Sequence, residues 1–401
     1  MVRPSLRLSF VFLIGFLSAA NLSLSAQQIS HFRLPAAMSG RGFIAKPGAD
    51  NSLKLDAAGN PVIAFWDDRA SVKLAHCANP ACTSGTSIHT VDTGEVLAEV
   101  SLALNGAGNP VISYFSGNLD ARHGNLKIAT CGDHNCSSGT VIATPDGGTG
   151  NNVTGLASSL VLDSVGNPVV SYTGLSGVKV LHCGNPTCTS GNSINFIDAS
   201  AGTGYGTGNL ALDAAGNPVL SYVASGATYH VKVAHCHDPD CAAAAINSIA
   251  QVGAANTDGT SLMLDAAGNP VLAYFNAGLE VAHCANPTCS ANTVISSVDR
   301  RESNGNRSSL VLDSDGNPVI SYTIMVKKGQ QFEDHLAVLR CGDANCGGGN
   351  SLATPDLSPI NGPLSSLQLD SRGRPVISYQ RINNLLSPGL YVLHCANPAC
   401  F

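Results

Sequence analysis

Short apolar and polar alternations, broken every few residues by turn-forming residues, run almost the whole length of the chain. Ser52-Leu53-Lys54-Leu55 alternates with period two, Val111-Ile112-Ser113-Tyr114 is rich in β-formers, Val72 to His76 is a third such run, and Ser87-Ile88-His89-Thr90-Val91 a fourth. No window carries helical periodicity, so the pattern predicts an all-β protein. The word Leu-Asp-Ala-Ala-Gly-Asn-Pro-Val stands at Leu55–Val62, Leu212–Val219 and Leu264–Val271, and looser versions occur four more times. Aligned on it, the leading leucines Leu53, Leu102, Leu160, Leu210, Leu262, Leu310 and Leu367 recur at intervals of 48 to 58 residues. Each copy, starting near residues 52, 101, 159, 209, 261, 309 and 366, holds four short strands.

Strand repeats of this period build propellers or solenoids, and the ends of the chain choose between them. The last copy stops at Cys400-Phe401, straight after its third strand, and leaves a sheet edge that needs a partner. The segment Ile29-Ser30-His31-Phe32-Arg33-Leu34 resembles the fourth strands Ser193–Ile197 and Val294–Val298, and is expected to complete the last sheet. A ring follows: a seven-bladed β-propeller of four-stranded antiparallel blades, with an N-terminal strand closing the last blade. From residue 29 to 401 the arrangement resembles secreted β-propellers closed in this way, a likeness that implies architecture far more than activity.

The repeated word reads as a hairpin. Asp56, Asp163, Asp213, Asp265, Asp313 and Asp370, with Asn105 in the second copy, offer a side-chain oxygen to the backbone two residues on. Gly59, Gly108, Gly166, Gly216, Gly268, Gly316 and Gly373 follow three places later, where a positive φ suits glycine, and proline then opens the next strand. Calcium is the rival use for these carboxylates; one carboxylate per turn, and Asn105 in place of one, argue against it, and no cofactor or metal is expected. The turn is distantly similar to the Asp-box of sialidase-like propellers, Ser-x-Asp-x-Gly-x-Thr-Trp, but here the glycine comes one place later and the tryptophan is missing. Phe65, Tyr114, Tyr172, Tyr222, Tyr274, Tyr322 and Tyr379 recur in the second strands and are expected to pack between blades.

Arg3 and Arg7, the apolar run Leu8–Leu17 and small residues ending at Ala26 form a secretory signal over residues 1–26, with Ala20 as the other cleavage point; residues 27–401 then form one propeller domain. Export to the periplasm or the exterior gives meaning to the fourteen cysteines. They fall in seven Cys-x4-Cys pairs, Cys77/Cys82, Cys131/Cys136, Cys183/Cys188, Cys236/Cys241, Cys284/Cys289, Cys341/Cys346 and Cys395/Cys400, and are expected to be disulfides that staple the hairpin between third and fourth strands. Zinc is the alternative, because His76, His182, His235, His283 and His394 precede the first cysteine, but no fourth ligand recurs with them. The 401 residues carry 12% charged residues and a net charge of −6, which argues against a nucleic-acid surface, and no later segment is apolar for long enough to span a membrane. A monomer is expected.

The connections from first to second strand and from third to fourth lie on one face and are nearly constant; those on the opposite face vary. Candidate ligand-binding residues therefore come from the variable connections: Trp66, Asp67, Asp68, Arg69, Asp120, Arg122, His123, Tyr205, Tyr229, His230, Lys327, Lys328, Glu333 and Asp334, the last four within a long loop expected over residues 323–335. Trp66 suits either stacking on a sugar ring or plugging a core. No catalytic constellation is recognisable, although Asp67 or Asp68 could pair with Glu333 if their loops met. The expected function is a secreted binding or adhesion module that recognises a glycan or an extracellular protein. The alternatives are a polysaccharide-directed glycoside hydrolase or lyase, and a protein-interaction scaffold.

Overall fold

The computed structural model describes residues 38–45, 50–67, 71–94, 97–118, 122–147, 152–199, 209–253, 259–300, 308–329, 331–357, 364–383 and 387–401. The expected signal segment lies outside them. Among the described residues there are seven four-stranded antiparallel sheets and no helix, so no helix there is long and apolar enough to cross a membrane. In blade 1 the strands Asn51–Leu55, Pro61–Asp67, Ser71–His76 and Ser87–Thr93 pair in sequence order, with Leu53 opposite Ile63, Ile63 opposite Ala75 and Ala75 opposite Ile88. The first strands of consecutive blades touch all the way round, and the circuit closes where Asn51–Leu55 meets Ser365–Leu369 of blade 7.

Blade 7 draws three strands from the C-terminus and its fourth from the N-terminus. The closing strand is Met38–Ala45, antiparallel to Ser387–Cys395, with Met38 opposite Cys395, Gly42 opposite Val392 and Ala45 opposite Leu390. The expected closing segment, Ile29–Leu34, lies outside the described residues, and the edge assigned to it is already taken by Met38–Ala45. The N-terminal closure holds with the strand moved along the chain. Its glycines at 40 and 42, poor strand formers, masked it in the sequence.

The core lies between blades. Phe65, Tyr114, Tyr172, Tyr222, Tyr274, Tyr322 and Tyr379 are all at most 1% exposed. Tyr114, for example, packs with Ile112 of its own blade against Val62, Ala64 and Leu74 of blade 1. Fully burying such a side chain contributes about 1.5–3 kcal/mol, so every interface gains from its aromatic. The seven leading leucines are buried in the same interfaces.

The turn chemistry is as the sequence implies. Asp56 Oδ1 accepts the N–H groups of Ala58 at 2.9 Å and Asn60 at 2.8 Å, while the Gly59 N–H bonds the Asp56 carbonyl with φ at 80°. Asn105 makes the same two bonds, to Ala107 and Asn109.

All seven Cys-x4-Cys pairs are disulfides: Cys77–Cys82, Cys131–Cys136, Cys183–Cys188, Cys236–Cys241, Cys284–Cys289, Cys341–Cys346 and Cys395–Cys400. Each bond closes a loop just after the third strand, which in blades 1 to 6 lies within the hairpin leading to the fourth; the second cysteines, Cys82, Cys136, Cys188, Cys241, Cys289, Cys346 and Cys400, stand in the turn of that loop. The reason is local: each of their N–H groups donates to the carbonyl three residues back, as in Cys82 to Asn79, Cys136 to Asp133, Cys241 to Asp238, Cys289 to Asn286 and Cys346 to Asp343. That turn puts Cys82 and Cys136 at φ 51°, Cys188 at 56°, Cys241 at 58°, Cys289 at 53°, Cys346 at 52° and Cys400 at 60°. This left-handed conformation is uncommon for a non-glycine residue, and here it recurs in every described copy of the turn. Seven disulfides fit an oxidising compartment.

Candidate functional site

On the uniform face the repeated polar groups are spent on one another. His76 Nε2 lies 3.0 Å from Asp56 Oδ2 in its own blade, and its Nδ1 lies 2.9 Å from Asn135 Oδ1 in the cysteine loop of blade 2. His182 bridges Asp163 and Asp240 in the same way, and His283 bridges Asp265 and Asn345. His235 and His394 hold Asp213 and Asp370. Where blade 6 has Arg340, the guanidinium takes the place of the imidazole against Asp313 at 2.6 Å. Blade 2 replaces both partners together: Asn105 stands for the aspartate and Thr130 for the histidine, and Thr130 Oγ1 donates to the Pro186 carbonyl of blade 3. The histidines beside the cysteines are clasps. Burial pushes the carboxyls of Asp56, Asp163, Asp213, Asp265 and Asp370 up, but hydrogen bonds from the turn backbone and from the histidine, joined by Arg374 at Asp370, outweigh it and hold them below the usual carboxylate range.

A second set of ties lies deeper. The Tyr114 hydroxyl donates to Asp92, at the end of blade 1's fourth strand, and Lys127 Nζ reaches the same oxygen at 2.9 Å. Tyr172 and Lys179 meet on Asp146, and Tyr222 and Lys232 on Asp198. Tyr322 and Tyr379 bind Asp299 and Asp356. Burial first, then the neighbouring carboxylate, pushes the hydroxyls of Tyr114, Tyr172 and Tyr222 far above their ordinary value. Blade 1 has Phe65 at this position and needs no acceptor. Among the described residues no aspartate binds Tyr274, and the carboxylate beside it is its cross-strand neighbour Glu280.

The opposite face has an axial cavity of about 160 Å³. The N-terminal ends of the first strands line it, which places its mouth among the variable connections. Its wall is a ring of hydroxyls. The residue before each leading leucine is Ser52, Ser101, Ser159, Asn209, Ser261, Ser309 or Ser366. The leucine N–H of each following blade donates to the serine Oγ behind it, as in Leu102 to Ser52 at 3.1 Å and, closing the ring, Leu53 to Ser366 at 3.0 Å. The same bond joins Ser101 to Leu160, Ser159 to Leu210, Ser261 to Leu310 and Ser309 to Leu367. Asn209 departs from the pattern and donates its amide to the Thr260 carbonyl.

Two carboxylates, Asp50 and Glu99, stand in this wall. Asp50 Oδ2 accepts the Glu99 N–H at 3.0 Å, and Glu99 Oε2 accepts the Ala157 N–H. Glu99 and Ala157 have φ of 57° and 53° at irregularities in the strand register, strained positions that these bonds fasten. Two residues past Ser52, away from the mouth, is Lys54, where the other copies have Ala103, Val161, Ala211, Met263, Val311 and Gln368. Burial lowers the pKa of its amine.

The sequence-selected residues occupy the hairpins around this cavity and none of the described ones is in its lining. Trp66 packs against the core between blades 1 and 2, with its indole nitrogen buried. Asp67 is buried, bonds the Ser71 hydroxyl at 2.6 Å and pairs with Lys73 at 2.6 Å. Arg122 is an exposed turn residue at φ 53°, next to His123. Tyr229 packs on the core between blades 4 and 5, and His230 bonds Thr228 and Ser248. The long loop expected over 323–335 is instead a β-ribbon, Pro318–Lys328 paired with Gln331–Arg340, because alternating residues extend both strands through the segment. On it Lys328 pairs with Glu333 at 3.2 Å, Asp334 lies opposite Met325, and Lys327 lies opposite the exposed Phe332. Asp68, Arg69, Asp120 and Tyr205 lie outside the described residues. The cysteines take no part in the cavity either: Cys82, Cys136, Cys241, Cys289 and Cys346, like their partners, are buried in the loops of the uniform face. The serine ring escaped the sequence reading, although a serine directly before the leading leucine in six of seven copies was the signal for it.

No protein-family model matches the sequence, and no curated protein matches it significantly. Solved structures do match in fold. A Dyadobacter fermentans protein of unknown function superposes with TM-score 0.51 at 11% identity, over 89% of this chain and 98% of that one. A lectin of Burkholderia pseudomallei gives 0.53 at 9%, over 87% and 96%. A Trypanosoma rangeli sialidase gives 0.50 at 9%, over 88% of this chain and 59% of the sialidase. At these identities the likeness is one of fold: the chain is a seven-bladed β-propeller, distantly similar to sialidase-like propellers.

Proposed function

We propose that this protein is an exported carbohydrate-binding propeller whose contact surface is the face of the variable connections. The observation that carries the reading is the contrast between the two faces. On the uniform face the aspartates, histidines and cysteines that repeat most faithfully are bound to one another, which leaves that chemistry structural. The other face combines an axial cavity walled by hydroxyls and two carboxylates with hairpins that differ from blade to blade, the part of a rigid scaffold where recognition concentrates. A lectin and a sialidase share the fold, which supports carbohydrate as the ligand class.

Hydrolysis is the second reading, because Asp50 and Glu99 put two carboxylates in one cavity. Each accepts a backbone N–H that fastens a strained residue, a positioning duty that favours binding over proton transfer. A glycan array run beside a hydrolysis assay on the same purified protein tests both. Binding without turnover is the expected result. Turnover removes the binding-module reading, and silence in both assays leaves a scaffold for protein partners.

A further inference from the structure

We propose that the axial cavity seats one neutral, hydroxyl-rich sugar ring, recognised by the serine ring as hydrogen-bond donors and by Asp50 and Glu99 as acceptors; this deepens the carbohydrate reading and rests on it. Six serine hydroxyls each receive a leucine N–H on their oxygen. A hydroxyl is both donor and acceptor, so each serine still has its O–H to give. Among the described residues none of these six hydrogens has an acceptor. The cavity that the serines line is where those hydrogens can be used.

A ligand that fits this wall must accept from several O–H groups and donate to carboxylates. Sugar hydroxyls do both. About 160 Å³ is roughly half of the ~300 Å³ at which drug-sized pockets begin, which limits the occupant to a single ring and excludes a chain. The described lining includes no lysine or arginine, while Asp50 and Glu99 are acidic. Lys54, the nearest cationic residue along the first strand, is outside the lining, and burial lowers the pKa of its amine. A sugar carboxylate would bring a further acid to this acidic wall, which favours neutral sugars over sialic and uronic acids.

The experiment is saturation-transfer NMR on the intact protein with galactose, mannose and glucose as neutral probes, and N-acetylneuraminic and galacturonic acids as acidic ones. At least one neutral sugar receives saturation, and the acids do not. Leu364→Trp, which fills the cavity from its wall, weakens that binding by ~10-fold or more. The pair Asp50→Asn and Glu99→Gln keeps an oxygen for the Glu99 and Ala157 N–H groups while removing both charges, and admits the acids. Should Leu364→Trp fail to fold, Ser366→Thr adds a methyl group to the cavity and keeps the acceptor for Leu53. Saturation of the acids alone overturns the proposal, as does a folded, cavity-filled variant that binds like the parent. If the glycan array is positive while cavity filling changes nothing, the carbohydrate reading survives and the cavity assignment falls; if the array and all five sugars are silent, both fall.

Discussion

Replacing Asp146 of blade 2 removes one side chain that three groups of blade 3 depend on. Its Oδ2 accepts from Tyr172 Oη at 2.7 Å, Lys179 Nζ at 2.8 Å and Thr154 Oγ1 at 2.8 Å. Asp146→Ala leaves the Lys179 ammonium without its carboxylate and orphans two hydroxyls, of which Thr154 is fully buried. Breaking a buried pair from one side costs about 3–5 kcal/mol. The two side chains keep 10% and 14% of their surface, so water relieves part of that, and about 3 kcal/mol is the working figure. Tyr172→Phe removes one donor and leaves the carboxylate its other two, a cost of about 1.5 kcal/mol. For a chain of this length the entropy of unfolding converts 1 kcal/mol into about 1.3 °C, which gives drops of about 4 °C and about 2 °C in Tm. Differential scanning calorimetry of both variants, with the disulfides intact, checks this. Equal losses in the two, or an Asp146→Ala loss below that of Tyr172→Phe, would show that the aspartate is not the shared acceptor and refute the reasoning.

Acid should weaken the uniform face. The folded carboxyls of Asp56, Asp163, Asp213, Asp265 and Asp370 are held below their ordinary value, so their contribution is complete above the unfolded carboxylate pKa of about 3.9 and is lost as pH falls from there through the folded values. Tm measured against pH should be insensitive to these groups above about pH 5 and fall steeply below about 4; a curve flat to pH 2 contradicts the clasps. Lys54→Met puts the residue of blade 5 into blade 1 and removes a desolvated amine, so Tm should rise by about 1–3 °C, and a fall would mean that the amine has a partner holding the blade. Replacing Cys183 and Cys188 by alanine opens a loop of sequence separation 5 and should cost about 2 kcal/mol at most; loss of all folded protein would mean that the cysteine loops set the fold rather than staple it.

Local chemistry made most of the fold legible in the sequence. Asp-x-x-Gly-Asn-Pro is a hairpin that depends only on its own residues, and seven copies of it fix the number of blades. Interactions across blades were legible only in part. The recurrent tyrosine signals packing, but its hydroxyl partner lies a blade away, at Asp92, Asp146, Asp198, Asp299 or Asp356, and only the curvature of the ring brings them together. The paired change to Asn105 and Thr130 is the trace that the aspartate–histidine contact within a blade leaves in one chain. The serines were hidden for a similar reason: in an alternating strand a serine reads as the polar phase, and its role appears once seven first strands surround an axis. The closing strand carried the weakest signal, because Gly40 and Gly42 give Met38–Ala45 little strand propensity and its pairing depends on the free edge of Ser387–Cys395.

The central claim is that the two faces differ in kind, one holding the ring together and the other meeting the ligand. Hydrogen–deuterium exchange on the protein saturated with a glycan taken from the array reads this directly. The account predicts added protection at the starts of the first strands, residues 50–52, 99–101 and 157–159, and none in the cysteine loops. Protection confined to residues 77–82, 131–136 and their counterparts in the other blades would contradict it.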